Sequence, residues 1–192
     1  MTALNTDAPP VEVKANTSYF RFEPIPASDS YVATLVGFNY LPEASFNRTD
    51  AKTKTKTVEV APGVEFFFGV RVDGKNYFAK SWPKYYSISE RAGYYAWYKA
   101  LTGTAPTIKQ RPSDMLGKAA LVGIEVAEKV SSKGTKYKAV NIKTVGPVPK
   151  ILAGTEIPLA SFKADFDSAL AKSNEKDGKA GGNAGQDENV PF

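Results

Sequence analysis

Alternating β-branched and aromatic runs, two hairpin turns and one strongly periodic helix between them predict a mainly β chain. In order the elements read strand, strand, strand, helix, strand, strand, which is the element order of the OB-fold, a five-stranded Greek-key barrel. The 192 residues divide into a flexible N-terminal arm (1–16), one barrel domain with a C-terminal extension (17–172), a flexible linker (173–186) and an acidic tail (187–192).

Each element has a local cause. Thr17–Pro26 carries Tyr19, Phe20 and Phe22 among prolines and reads as an edge segment laid along the body. Tyr31–Tyr40 is β-branched and aromatic, hence a strand, with Gly37 marking a bulge or bend. Leu41–Thr57 is polar, ends in Lys52-Thr53-Lys54-Thr55-Lys56-Thr57, and reads as a loop. Within Val58–Val72, Phe66, Phe68, Val70 and Val72 fall on one face and Glu65, Phe67, Gly69 and Arg71 on the other. Asp73-Gly74 is a two-residue hairpin turn, so Lys75–Trp82 returns antiparallel until Pro83 stops it.

Ser87 and Glu90 make a capping box for a helix over Ser87–Thr102, closed by Gly103 and Pro106. Tyr94, Trp97, Tyr98 and Leu101 give it an apolar face for the core. Pro112–Leu116 supplies one further turn. Gly117–Lys129 lines Ala120, Val122, Ile124 and Val126 on one side, and Lys136–Val145 pairs back across Ser131-Ser132-Lys133-Gly134. After Gly146-Pro147-Val148-Pro149, Ile151–Phe162 reads as an added strand and Ala164–Lys172 as a short helix.

Composition narrows the chemistry. The sequence has neither cysteine nor histidine, which removes disulfides, zinc sites, Ser-His-Asp triads and Cys-His dyads. No acidic pair at a strand end comes with a catalytic lysine pattern, so a metal-dependent nuclease is disfavoured; no enzyme activity and no cofactor are expected. Neither a signal peptide nor an apolar run long enough to span a bilayer is evident, so a cytoplasmic chain without a membrane partner is expected. Residues 173–192 hold 2 Lys/Arg against 4 Asp/Glu, leaving 23 against 16 in residues 1–172. A basic body on an acidic leash suggests a polyanion that the tail imitates.

In an OB-fold the loops joining strands 1–2 and 4–5 wall the ligand groove. Here the first holds Arg48, Lys52, Lys54 and Lys56, and the second is bracketed by Lys129, Lys133, Lys136 and Lys138. Cations so placed follow a phosphate backbone, although lysines on hairpins also serve to blunt sheet edges. Unpaired bases need flat side chains to stack on. Phe67, beside Gly69 and Arg71 on the non-core face, is the first candidate, followed by Tyr77 and Tyr137. Single-stranded DNA is the expected partner. RNA and self-association stay open, and the alternative is an OB-like adaptor that binds protein only.

At the other end, Asp187, Glu188, Val190, Pro191 and Phe192 form a peptide suited to capture by a basic, apolar pocket. These residues resemble the Asp-Asp-Ile-Pro-Phe ending of bacterial single-stranded-DNA-binding proteins, with Asn189 inserted. Ser87-Ile88-Ser89-Glu90-Arg91, Ala100-Leu101-Thr102-Gly103, Met115-Leu116-Gly117-Lys118 and Tyr137-Lys138-Ala139-Val140-Asn141-Ile142 resemble motifs of small phage replication and recombination proteins. The resemblance to phage-type OB-fold single-stranded-DNA-binding proteins implies protection of DNA in replication, recombination and repair. It also implies docking of the tail on replication and recombination proteins, and a bacterial host's cytoplasm as the location.

Overall fold

The computed structural model describes residues 22–27, 29–49, 53–130, 134 and 136–180, the side chains of residues 48, 49 and 173–180 excepted. Antiparallel strands β1 (Asp29–Thr49), β2 (Lys56–Val72), β3 (Lys75–Lys80), β4 (Lys84–Tyr85), β5 (Ala119–Val130) and β6 (Lys136–Gly146) form one sheet. Its order is β3-β2-β1-β5-β6, with the short β4 beside β2. Helix α1 (Gly93–Thr102) lies between β4 and β5, and α2 (Ala160–Ala180) follows β6.

The inner face is the one the alternation foretells. Val64, Phe66, Phe68 and Val70 of β2 meet Ala33, Leu35 and Phe38 of β1, Ala120, Val122 and Ile124 of β5, and Ile142 of β6. Helix α1 adds Tyr94, Trp97, Tyr98 and Leu101 to this core, with Phe66 and Trp97 ring centroids 5.5 Å apart. The bulge expected near Gly37 is present: Leu35 opposes Phe68 and Gly37 opposes Phe67, which leaves Val36 extra. Asp73 (φ 50°) and Gly74 (φ 78°) both adopt the left-handed region that a tight hairpin turn requires. Gly103 (φ 77°) ends α1, its N–H donating to the Lys99 carbonyl.

Five expectations are corrected. Leu41–Thr57 is no loop: β1 runs on to Thr49 and β2 begins at Lys56, so Ser45 opposes Val60 and Asn47 opposes Val58 in a ribbon projecting beyond the core. Backbone pairing holds this ribbon together, so it needs no apolar alternation to be a sheet. The helix begins at Gly93 rather than Ser87, after Ala92, with no side-chain cap. Ser87 is buried and its Oγ accepts the Ser89 N–H, which spends the expected capping group on a turn.

Ile151–Phe162 forms no strand. Ile151 is 90% exposed, a 3₁₀ turn covers Lys150–Leu152, and Phe162 belongs to α2. That helix spans Ala160–Ala180 instead of Ala164–Lys172, so it takes in part of the segment read as a linker. Phe162, Phe166, Ala169 and Leu170 recur at helical spacing and give it a face to bury, which a strand would split between two sides. The expected five strands become six with β4, a two-residue pairing of Lys84–Tyr85 with Gly63–Val64.

Candidate nucleic-acid interface

The outer face of the sheet is roofed by α2. Phe67, expected to be open to a base, is fully buried there with Val36, Phe78, Phe162 and Phe166. Phe22 joins them, its ring centroid 5.9 Å from that of Phe67 and 5.7 Å from that of Phe78. Two glycines admit the helix. A Cβ on Gly69 would lie 2.8 Å from the Phe162 ring, and one on Gly37 2.9 Å from the Phe166 ring. Asn76 Nδ2 fastens the roof, donating to the Ser161 carbonyl (3.0 Å) and to Asp165 Oδ2 (2.7 Å). The Thr34 hydroxyl donates to the Ile157 carbonyl (2.6 Å).

The charged neighbours that made Phe67 look exposed are accounted for differently. Glu65 is buried, but Lys80 Nζ (2.9 Å) and Asn39 Nδ2 (3.3 Å) satisfy its carboxylate, which is the condition for burying a charge. Arg71 is exposed and committed locally: its Nε donates to Asn76 Oδ1 (2.9 Å) and its guanidinium lies 5.8 Å from the Phe162 ring centroid. Tyr77 is half-buried against the core with the Lys75 ammonium 5.1 Å from its ring centroid. As a stacking surface, the β2–β3 outer face is closed.

The lysines fare better. Lys54 and Lys56 at the β1–β2 end, and Lys129, Lys136 and Lys138 at the β5–β6 end, are exposed and make no ion pair among the described residues. Tyr137 is 49% exposed and directly opposes Lys129. The pairing register sends the two hairpin ends apart. Asp29 opposes Ile124 and Thr34 opposes Ala119, so β5 runs on to its turn in one strand direction while β1 runs on to its own turn in the other. The two basic ends therefore do not wall a single groove from one side. Lys52, Lys133 and the tail residues Asp187, Glu188, Val190, Pro191 and Phe192 lie outside the described residues. The Arg48 backbone pairs with Thr57, while its side chain is likewise outside.

Sequence reasoning missed Trp82. It follows β3, is 64% exposed, and donates Nε1–H to Asn141 Oδ1 on β6 at 3.4 Å. This bond joins the two ends of the sheet order, β3 and β6. Asn141 directly opposes Glu125, whose carboxyl is held below its usual range chiefly by the Lys143 ammonium 2.8 Å away. On the other side of Pro83, Lys84 is half-buried with its ammonium 4.5 Å from the Trp97 ring centroid, and burial lowers its pKa. The signal available in sequence was a tryptophan at a strand end fixed by the following proline, outside the alternation that dictates core positions.

No helix among the described residues is long and apolar enough to cross a membrane. Comparison with protein-family models, curated proteins and solved structures gives no match to this chain.

Proposed function

We propose that this chain binds single-stranded DNA without sequence preference in replication and recombination, and that its acidic end recruits replication proteins. The observation that carries the proposal is the pair of exposed lysine groups at the two hairpins, free of ion pairs among the described residues, with exposed Tyr137 inside one group and exposed Trp82 at the β3–β6 junction. Lysines without carboxylate partners keep their charge available for phosphates and gain from counterion release. Exposed flat rings supply stacking that any base satisfies.

An OB barrel is the finer reading of the fold. The order β3-β2-β1-β5-β6, the helix between β4 and β5, and the Trp82–Asn141 bond between the outermost strands all support it. The same bond supports a route for the strand despite the diverging hairpins. From Asn141, β6 leads to Lys136 over about 16 Å, and from Gly63, beside Tyr85, β2 leads to Lys56 over about 23 Å. The nucleic acid would cross the β6–β3 junction, avoiding the roof made by α2.

Titration of fluorescently labelled oligo-dT tests the proposal, with duplex DNA and RNA of equal length as comparators. Binding to oligo-dT should be tightest and should weaken steeply with salt. Replacing Lys54 and Lys56 by alanine should flatten the log–log salt slope by about 0.7 for each of the two that neutralises a phosphate. Absence of oligo-dT binding at low salt would overturn it. That result would select a protein-binding adaptor, which the roofed β2–β3 face independently favours. For the tail, removing residues 187–192 should abolish capture of replication proteins while leaving the barrel folded. Undiminished capture would refute the recruiting role.

A further inference from the structure

We infer that Trp82 is a base-stacking platform for the unpaired strand, presented by Asn141 at the junction of β3 and β6. The inference rests on the single-strand reading above and adds the residue that does the stacking. Three observations carry it. The indole is 64% exposed and no ring packs on it among the described residues, whereas Trp97, Tyr94, Tyr86 and Phe66 are all buried.

The second observation is that the ring is held. Ser81, immediately before it, is buried and doubly tied to Phe66: its N–H donates to the Phe66 carbonyl (2.9 Å), and its Oγ accepts the Phe66 N–H (3.0 Å). Pro83, immediately after, confines the Trp82 backbone to extended conformations. Asn141 receives the indole N–H at 3.4 Å and directly opposes Glu125 on β5. An exposed ring anchored at both backbone neighbours and at its only polar atom loses little freedom when a partner lies on its face.

Position is the third. Along β6 from Asn141, on the same side of the strand by alternation, stand Ala139 and then exposed Tyr137 opposite Lys129. Beyond Pro83 the chain pairs with Gly63–Val64, where β2 sets out toward Lys56. Trp82 thus lies between the two groups of exposed lysines described at the hairpins. A small alanine stands between its partner Asn141 and the next exposed ring. A nucleobase satisfies such a site: it offers a flat face to the ring and leaves its phosphate to the lysines.

The test uses the full chain with 5′-labelled oligo-dT at fixed salt, following anisotropy so that the readout does not depend on tryptophan. Trp82→Ala should weaken binding by about 5- to 150-fold, the range spanned by a single base stack. Trp82→Phe should restore most of that loss, and Asn141→Ala should give a smaller one. The salt slope should stay at the wild-type value in all three, because every phosphate-facing lysine is still in place. Emission of the wild type should quench on saturation, and that quench should vanish in Trp82→Phe, with buried Trp97 reporting an intact fold. If wild type and Trp82→Ala bind oligo-dT equally tightly, stacking at Trp82 is overturned and single-strand binding survives. If the wild type binds no oligo-dT, the underlying function falls with it.

Discussion

Replacing Gly69 by alanine probes the roof over the outer face, because that methyl has nowhere to go. The added Cβ would lie 2.8 Å and 2.9 Å from Cδ1 and Cγ of Phe162 and 3.0 Å from a Val36 methyl. The ring sits in a packed cluster, so relief requires shifting α2; overpacking of this kind costs about 1–3 kcal/mol. Truncating the fully buried Phe162 to alanine should cost about 3–5 kcal/mol by itself. In the double variant the methyl meets a void where the ring was. Most of its penalty should disappear, leaving only the 3.0 Å approach to the Val36 methyl, against which alanine's better fit to a strand works. The cycle should therefore show coupling of about 1–3 kcal/mol. Urea unfolding followed by Trp97 fluorescence measures all four proteins. If Gly69→Ala costs as much with Phe162 removed as with it present, α2 does not rest on this strand, and the reason for Phe67 being closed falls away.

The Tyr94 hydroxyl is the one described buried side-chain polar atom without a hydrogen-bond partner, so Tyr94→Phe should stabilise the protein by about 1 kcal/mol or more in urea melts. Burial pushes the Tyr86 hydroxyl up to about 12 and raises that of Tyr94 as well. Their raised folded values contribute stability that is whole below pH 10 and lost as pH rises toward 12, because the unfolded chain ionises first. Thermal melts should therefore fall progressively above about pH 10, and a flat profile to about pH 12 would contradict the burial of these rings. Gly103→Ala should cost about 1–2 kcal/mol, although its Cβ would touch nothing, because φ is 77° at the end of α1. Urea melts of that variant check the figure, and an unchanged midpoint would contradict the left-handed cap.

The sequence was legible wherever a side chain's local chemistry sets its own geometry. Asp73-Gly74 makes its hairpin, Gly103 ends its helix, and the alternation from Phe66 to Val70 chooses the core face, since each depends on φ/ψ preferences or on the two-residue period. Lys54, Lys56, Lys129, Lys136 and Lys138 at the two hairpins are exposed as their composition implies, long ammonium chains being costly to bury. Those choices belong to the sequence by itself.

Only tertiary structure decided what lies on the other side of the sheet. Phe67 and Gly69 alternate away from the core, and nothing near them in sequence says that Phe22 and Phe162, far off along the chain, will cover them. Glu65 looks like a solvated neighbour until Lys80 and Asn39 arrive from other strands to pair with it. Trp82 acquires meaning only when β6 brings Asn141 to its indole. The physical reason is common to all three: burial and hydrogen bonding are supplied by partners distant in sequence, and local propensity carries no record of which partners those are.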